Sequence, residues 1–189
     1  MELGYGINAS FLGVTAIAVA VFFIGIVSFA AKSYKKVPQG QVLVRNGAGG
    51  TMVIFDGGFV LPILHQYEYL DITIKTITLH FEGREALKFK SGEKVEIEAM
   101  LYVRVNPENA SEVAQSVGCK NTFDQDFLNQ MFIPKFREGI LTTVEEMNLE
   151  TGKPLPREML NRKVRETIGT QLNGFVLDDC AFNKVKLIQ

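Results

Sequence analysis

The chain has 189 residues, with 20 Lys and Arg against 21 Asp and Glu and a formal net charge of −1. Charges this nearly balanced give no global basic field, so nucleic acid is not an expected partner. The part beyond the first apolar run is the size of one domain or two small ones.

Residues 11–31, from Phe11 through Val21, Phe22, Phe23 and Ile24 to Ala31, form an uncharged apolar run. About 20 apolar residues span the ~30 Å hydrocarbon core as a helix, so the run is expected to cross a bilayer. Residues 1–10 carry only Glu2 as a charge, whereas Lys32, Lys35 and Lys36 follow the run. The positive-inside rule then predicts a short N-terminus outside, a basic juxtamembrane segment at 32–36, and the rest in the cytoplasm. A cleavable signal peptide is the rival reading. It requires the basic residues before a shorter apolar core. Gly13, Gly25, Ala16, Ala18 and Ala20 would allow close packing against other helices, or they reflect only the usual small residues of membrane helices.

From Gln41 to about Val105 the signals are those of β-strands. Asn46–Gly50 supplies turn chemistry, and Asp56-Gly57-Gly58 reads as a hairpin turn. Over Tyr67–Glu82 the apolar phase is even at Leu70, Ile72 and Ile74 but odd at Ile77, Leu79 and Phe81. A one-residue slip moves side chains to the opposite face, which predicts a bulge or break near Lys75–Thr76. After Ser91-Gly92, alternate residues Val95 to Val105 are apolar, as in a half-buried antiparallel strand.

At Asn106 the period turns helical. Asn106 can cap, Pro107 suits a first turn, and Gly118 can end the helix. Thr122 and Gln125 have capping-box spacing for a second helix running to about Met147, which Pro134 should kink or break. A third helix is expected after the Gly152–Pro156 loop, over about Arg157–Leu172. Its apolar stripe is Leu160, Val164, Ile168 and Leu172, and Asn173-Gly174 would end it. A last strand runs from Phe175. The sequence stops in mid-strand, which suggests a fragment of a longer protein.

The order of anchor, β-rich segment, three helices and strand resembles the SPFH (band 7) superfamily of stomatin, prohibitin and flotillin. It is most similar to bacterial flotillins with an N-terminal membrane helix. The residues that carry the resemblance are Val37–Val42, the Gly47–Gly50 turn, and Asp56–Pro62 with His65 and Leu70. Ser91–Val105 and Gly174–Val185 resemble the superfamily's central and closing strands. The resemblance implies an α+β SPFH domain over 37–189, in subdomains of about 37–84 and 85–189, with the family's C-terminal coiled coil absent. It further implies a non-enzymatic scaffold that assembles side by side into rings or cages and organises membrane microdomains. The implied partners are membrane lipids, further copies of the chain, and a small NfeD-type membrane protein. The resemblance also carries a rival, a prohibitin-type subunit that encloses a membrane protease. A membrane-tethered binding domain or a tethered enzyme are further alternatives.

Residue by residue, few features suggest chemistry. The Gly47–Gly50 run lacks the spacing and the Lys-Ser/Thr of a phosphate loop and leads into a strand. His65 and His80 sit in no metal or nucleophile pattern, and no cofactor is expected. Cys119 and Cys180 read as buried thiols, since disulfides are rare in the cytoplasm. Phe59, Leu61, Ile63 and Leu64 flank Pro62 and read as sheet core; the resemblance offers instead that they dip into the inner leaflet. Arg157, Arg162 and Arg165 read as a solvated helix face or, given the family's rings, as a contact with the next subunit.

Overall fold

The computed structural model describes residues 9–148, 157–169 and 171–188. The expected Gly152–Pro156 loop lies outside these residues.

Helix α1 (Ala9–Ser33) is 25 residues long, roughly 37 Å at 1.5 Å per residue. Its stretch Leu12–Ser33 is long and apolar enough to cross a membrane, and its apolar side chains stand clear of the rest of the protein. Strand β1 (Tyr34–Lys36) follows without a break.

Two sheets follow. The first has the order β3-β2-β5, with β2 Gln41–Gly47, β3 Met52–Ile54 and β5 His65–Asp71. The Gly47–Gly50 turn joins β2 to β3 as expected, closed by Gly50 N–H donating to Gly47 O at 2.9 Å. Asp56-Gly57-Gly58 is not a hairpin turn. The chain bends at 55–56, and Gly57–Phe59 forms strand β4, which pairs with β1 as a separate ribbon. Gly at both 57 and 58 lets β4 lie close: a Cβ on Gly57 would sit 2.7 Å from the Tyr34 hydroxyl.

The second sheet has the order β6-β8-β10-β9, with β6 Lys75–Phe81, β8 Lys94–Val105, β9 Gln171–Leu172 and β10 Phe175–Ile188; β7 (Leu87–Lys88) also pairs with β8. The phase slip anticipated at Lys75–Thr76 falls slightly earlier, at 72–74, where the chain leaves one sheet for the other. It is a sheet switch rather than a bulge. On β8 the apolar set Val95, Ile97, Ala99, Leu101, Val103 and Val105 is buried, as alternation requires. Glu98 is the exception on the polar face: it is only 8% exposed, between His80 at 3.8 Å and Lys184 at 3.1 Å.

Helix α2 (Ala110–Ser116) begins after a 3₁₀ turn in which the Asn106 side chain accepts from Glu108 N–H. Helix α3 (Gln125–Glu146) is capped by Asp124, whose carboxylate accepts from Asp126 and Phe127 N–H. The expected Thr122 capping box does not form, because Thr122 is buried and bonded elsewhere. Its hydroxyl accepts from Asp71 N–H and donates to Cys119 O. Pro134 lies inside α3, which continues past it without a break.

Helix α4 (Arg157–Ile168) buries Leu160, Val164 and Ile168. Leu172 belongs instead to β9, and Asn173-Gly174 forms the hairpin turn into β10 rather than a helix end. Both turn residues have positive φ, 51° and 87°, as a two-residue primed turn requires. The core lies between the second sheet and α3, where Ile77, Leu79, Phe81 and Leu101 share one cluster with Leu128, Phe132, Phe136 and Ile140. Phe132 and Phe136 stack at 5.3 Å, and Phe175 meets Phe132 edge-on. The fold is α+β.

Candidate membrane-facing site

Strand β1 runs away from the end of α1, and β4 runs antiparallel beside it, so β4 returns towards the helix. The register pairs Lys36 with Gly57 and Tyr34 with Phe59. Val60 N–H then donates to Ser33 O, the last residue of the helix, at 2.8 Å. The segment after Phe59 therefore reaches the level where the apolar helix stops.

There the chain makes a tight turn. Leu64 and His65 N–H both donate to Leu61 O, at 3.0 and 2.9 Å. Leu61 N–H donates to His65 Nδ1 at 3.2 Å, so in the neutral ring the proton sits on Nε2. This is the structural histidine that the sequence suggests. Ala48 N–H donates to Leu64 O, and a Cβ at Gly47 would lie 2.1 Å from that oxygen. The Arg45 guanidinium donates to Phe59 O at 2.9 Å and ties β2 to the ribbon. Tyr69 Oη donates to Lys36 O at 3.2 Å, and Lys35 Nζ lies 5.5 Å from the Tyr67 ring centre. Neither Arg45 nor Gly47 is legible in the sequence as a support for this loop, since their partners, Phe59 and Leu64, lie well downstream.

The turn carries apolar side chains on its outside. Ile63 is 91% exposed, Phe59 55% and Leu64 53%; Leu61 is half-buried and only Val60 is buried. The expectation of sheet core is thus overturned for Phe59, Ile63 and Leu64. Tyr34, Met52 and Phe55 are exposed in neighbouring elements, and Tyr34 meets Phe59 edge-to-face at 5.3 Å. Large exposed apolar residues gathered in this way mark a contact surface. Val21, Phe22, Phe23, Ile24 and Ala31 are exposed along α1, within which Phe11 also lies. Lys32 and Lys36 are exposed at its foot, and Lys35 is half-buried there.

The other expected residues lie elsewhere. Arg157, Arg162 and Arg165 are on α4. The first two are exposed, and Arg165 approaches Asp179 of β10 at 3.9 Å. Both cysteines are buried free thiols. Burial first, then the Glu68 charge and hydrogen bond, push Cys119 up to about 11; burial and then Asp179 push Cys180 up to about 12. Such thiols are poor nucleophiles at neutral pH. Among the described residues no group of three or more His, Cys, Asp or Glu could hold a metal.

At the sheet switch, Asp71 is 7% exposed and accepts from Thr73 N–H at 2.8 Å, from the Thr73 hydroxyl at 2.6 Å and from Lys75 Nζ at 2.5 Å. Burial alone would raise its pKa. The bonds from Lys75 and Thr73, with the Lys75 charge, outweigh this and hold the carboxyl below its ordinary value.

The family model described as SPFH domain / Band 7 family matches residues 35–186. The chain belongs to this family. Its SPFH domain begins at the second residue of β1, directly after the apolar helix, so the 59–64 turn is part of the domain itself. Among curated proteins, the chain is 29% identical over 176 residues to the flotillin family inner membrane protein YqiK of Escherichia coli (strain K12). That match covers 89% of this chain and 31% of the relative, so the chain spans about a third of the relative's length. The relative is named as an inner membrane protein, and this chain has a helix long and apolar enough to cross a membrane.

Proposed function

We propose that this SPFH protein is a flotillin-like membrane scaffold held at the bilayer by two contacts, the helix α1 and the turn 59–64. The observation that carries this reading is the Tyr34–Phe59 register with the Val60–Ser33 bond, which brings exposed apolar residues level with the end of the membrane helix. Phe59, Leu61, Ile63 and Leu64 dip into the headgroup and upper acyl region of the inner leaflet. Lys32, Lys35 and Lys36 lie among anionic headgroups, each worth about 1 kcal/mol. A second shallow contact adds to one already tethered, because the helix fixes its effective concentration. The domain faces the cytoplasm, as the lysines after the helix favour.

Neighbouring copies pack side by side into a ring or cage, with Arg157, Arg162 and Arg165 of α4 at the subunit contact. The assembly confines a membrane patch and its proteins, aided by a small NfeD-type membrane protein. No catalysis is proposed. The test is negative-stain electron microscopy of the natively expressed, detergent-extracted protein, as this 189-residue chain and in any longer form. Large closed rings or cages support the scaffold; small monodisperse particles in both forms overturn it in favour of a tethered binding domain. A reporter fused after residue 189 that is active outside the cytoplasm would reverse the orientation and favour the prohibitin-type reading.

A further inference from the structure

A groove of ≈ 580 Å³ opens beside the 59–64 turn, lined by Lys35, Val60 and, from β5, His65, Gln66, Tyr67 and Glu68. A smaller groove of ≈ 330 Å³ shares Asn46, Pro62, His65 and Gln66 with it and adds Ile63 and Leu64. Resting on the membrane-facing reading above, we propose that this groove binds the phosphoethanolamine headgroup of a membrane lipid, with the acyl chains leaving past Ile63 and Leu64.

The chemistry of the lining selects the headgroup. Lys35 is two residues past the end of α1, at headgroup depth, and supplies a cation for the phosphate. The His65 Nε2–H and the amides of Asn46 and Gln66 are neutral donors for the same group. Glu68 is the one carboxylate in the lining. Its charge reaches Cys119, but Glu68 is exposed and a carboxylate has several acceptor sites. It takes the ammonium. A purely anionic headgroup would leave Glu68 facing negative charge, and a trimethylammonium headgroup has no N–H to give it.

The test uses the full chain in nanodiscs of equal phosphatidylethanolamine and phosphatidylglycerol, extracted gently and weighed by native mass spectrometry. The expected result is retained phosphatidylethanolamine enriched about two- to fivefold, the range of an exposed ion pair. Glu68→Lys should invert the preference. Lys35→Gln should lower phosphatidylethanolamine retention per inserted chain, and exchanging that lipid for phosphatidylcholine should do the same to the unaltered chain. Neither of these two depends on how the Glu68 variant folds. Excess water-soluble glycerophosphoethanolamine should not replace the lipid; if it binds while the lipid is not enriched, the lipid source is wrong. Equal retention of both lipids by the unaltered chain, or a preference that both variants leave intact, overturns the inference. Normal insertion without enrichment sinks this inference alone, whereas failure to insert sinks the membrane-facing reading with it.

Discussion

The two sheets of this domain share one core but differ in how much apolar surface their surroundings leave outside. The second sheet is a conventional half-buried surface. Every second residue of β8 is apolar and buried, in a cluster that runs from Val42, Val44 and Leu70 of the first sheet to Phe182 of the second. The first sheet and its β1–β4 ribbon leave Phe55, Phe59, Ile63 and Leu64 outside. Val42, Val44 and Leu70 tie β2 and β5 into the shared core, while the ribbon and the 59–64 turn rest on backbone bonds, on Arg45, and on glycines where two backbones nearly touch. The lesson is a division of labour. The second sheet buries its apolar surface in the core, and the ribbon and turn leave part of theirs exposed, which is the surface proposed above to meet the bilayer. Substitutions should therefore hit stability in the second region and membrane contact in the first.

The largest expected effect is in the second region. Phe136 is fully buried and stacks on Phe132. Phe136→Ala removes the ring and leaves a cavity, which should cost about 3–5 kcal/mol. Denaturant unfolding of the folded domain reads this directly. A loss below about 1 kcal/mol would contradict a single packed core.

Next comes the junction between the regions. Asp71 gathers bonds from Thr73 and Lys75, while Thr122 holds its backbone N–H. Asp71→Ala leaves Lys75 and two donors of Thr73 without this acceptor and should cost about 2–3 kcal/mol. The pH dependence has a definite sign. The folded pKa lies below the ordinary 3.8, so the contribution is complete above that value and is lost as pH falls through the folded value. Acid unfolding of Asp71→Asn should lose that part of its pH slope below about pH 4. An unchanged acid transition would remove Asp71 from the account.

Legibility follows the same division. The sequence exposes β8, β10, α2 and most of α4, because burial on one face writes a period of 2 or 3.6 into the residues. It misassigns the punctuation. Thr122 matches a capping box by spacing, but Asp71, far off in sequence, claims its hydroxyl. Asn173-Gly174 suits a helix end as well as a hairpin, and the partner strand decides. Gly57-Gly58 reads as a turn because nothing local reveals that β1 lies beside it. At the candidate site the lysines and apolar residues are visible as a list. Their convergence is not, since it depends on the pairing of residues 34–36 with 57–59.

The membrane-proximal region answers to smaller changes. At Gly47, φ is 146° and a Cβ would meet the Leu64 carbonyl at 2.1 Å. Gly47→Ala should displace the 61–65 turn at a cost of about 1–3 kcal/mol, confined to this region. Hydrogen exchange would register it as faster exchange at Leu64 and His65 with unchanged protection on β8 and α3. Equal loosening of both sheets would mean that the two regions are one cooperative unit.

The smallest change in stability should come from Ile63. At 91% exposure it buries almost nothing in the protein, so Ile63→Ser should stay within about 0.5 kcal/mol in unfolding. Its expected effect is on the bilayer contact proposed above. Burying one large aliphatic side chain is worth roughly 1.5–3 kcal/mol, and shallow insertion recovers only part of this. The helix keeps the variant in the membrane fraction, so fractionation alone will not detect the change. An environment-sensitive fluorophore on a cysteine introduced by Leu64→Cys will. With Ile63 present it should report an apolar, quencher-shielded setting in vesicles, and in the Ile63→Ser background a wetter one. A label that is equally wet in both chains would return Ile63 to the solvent and leave α1 as the sole contact. If the signal shifts while unfolding does not, exposure at this turn serves the membrane rather than the fold.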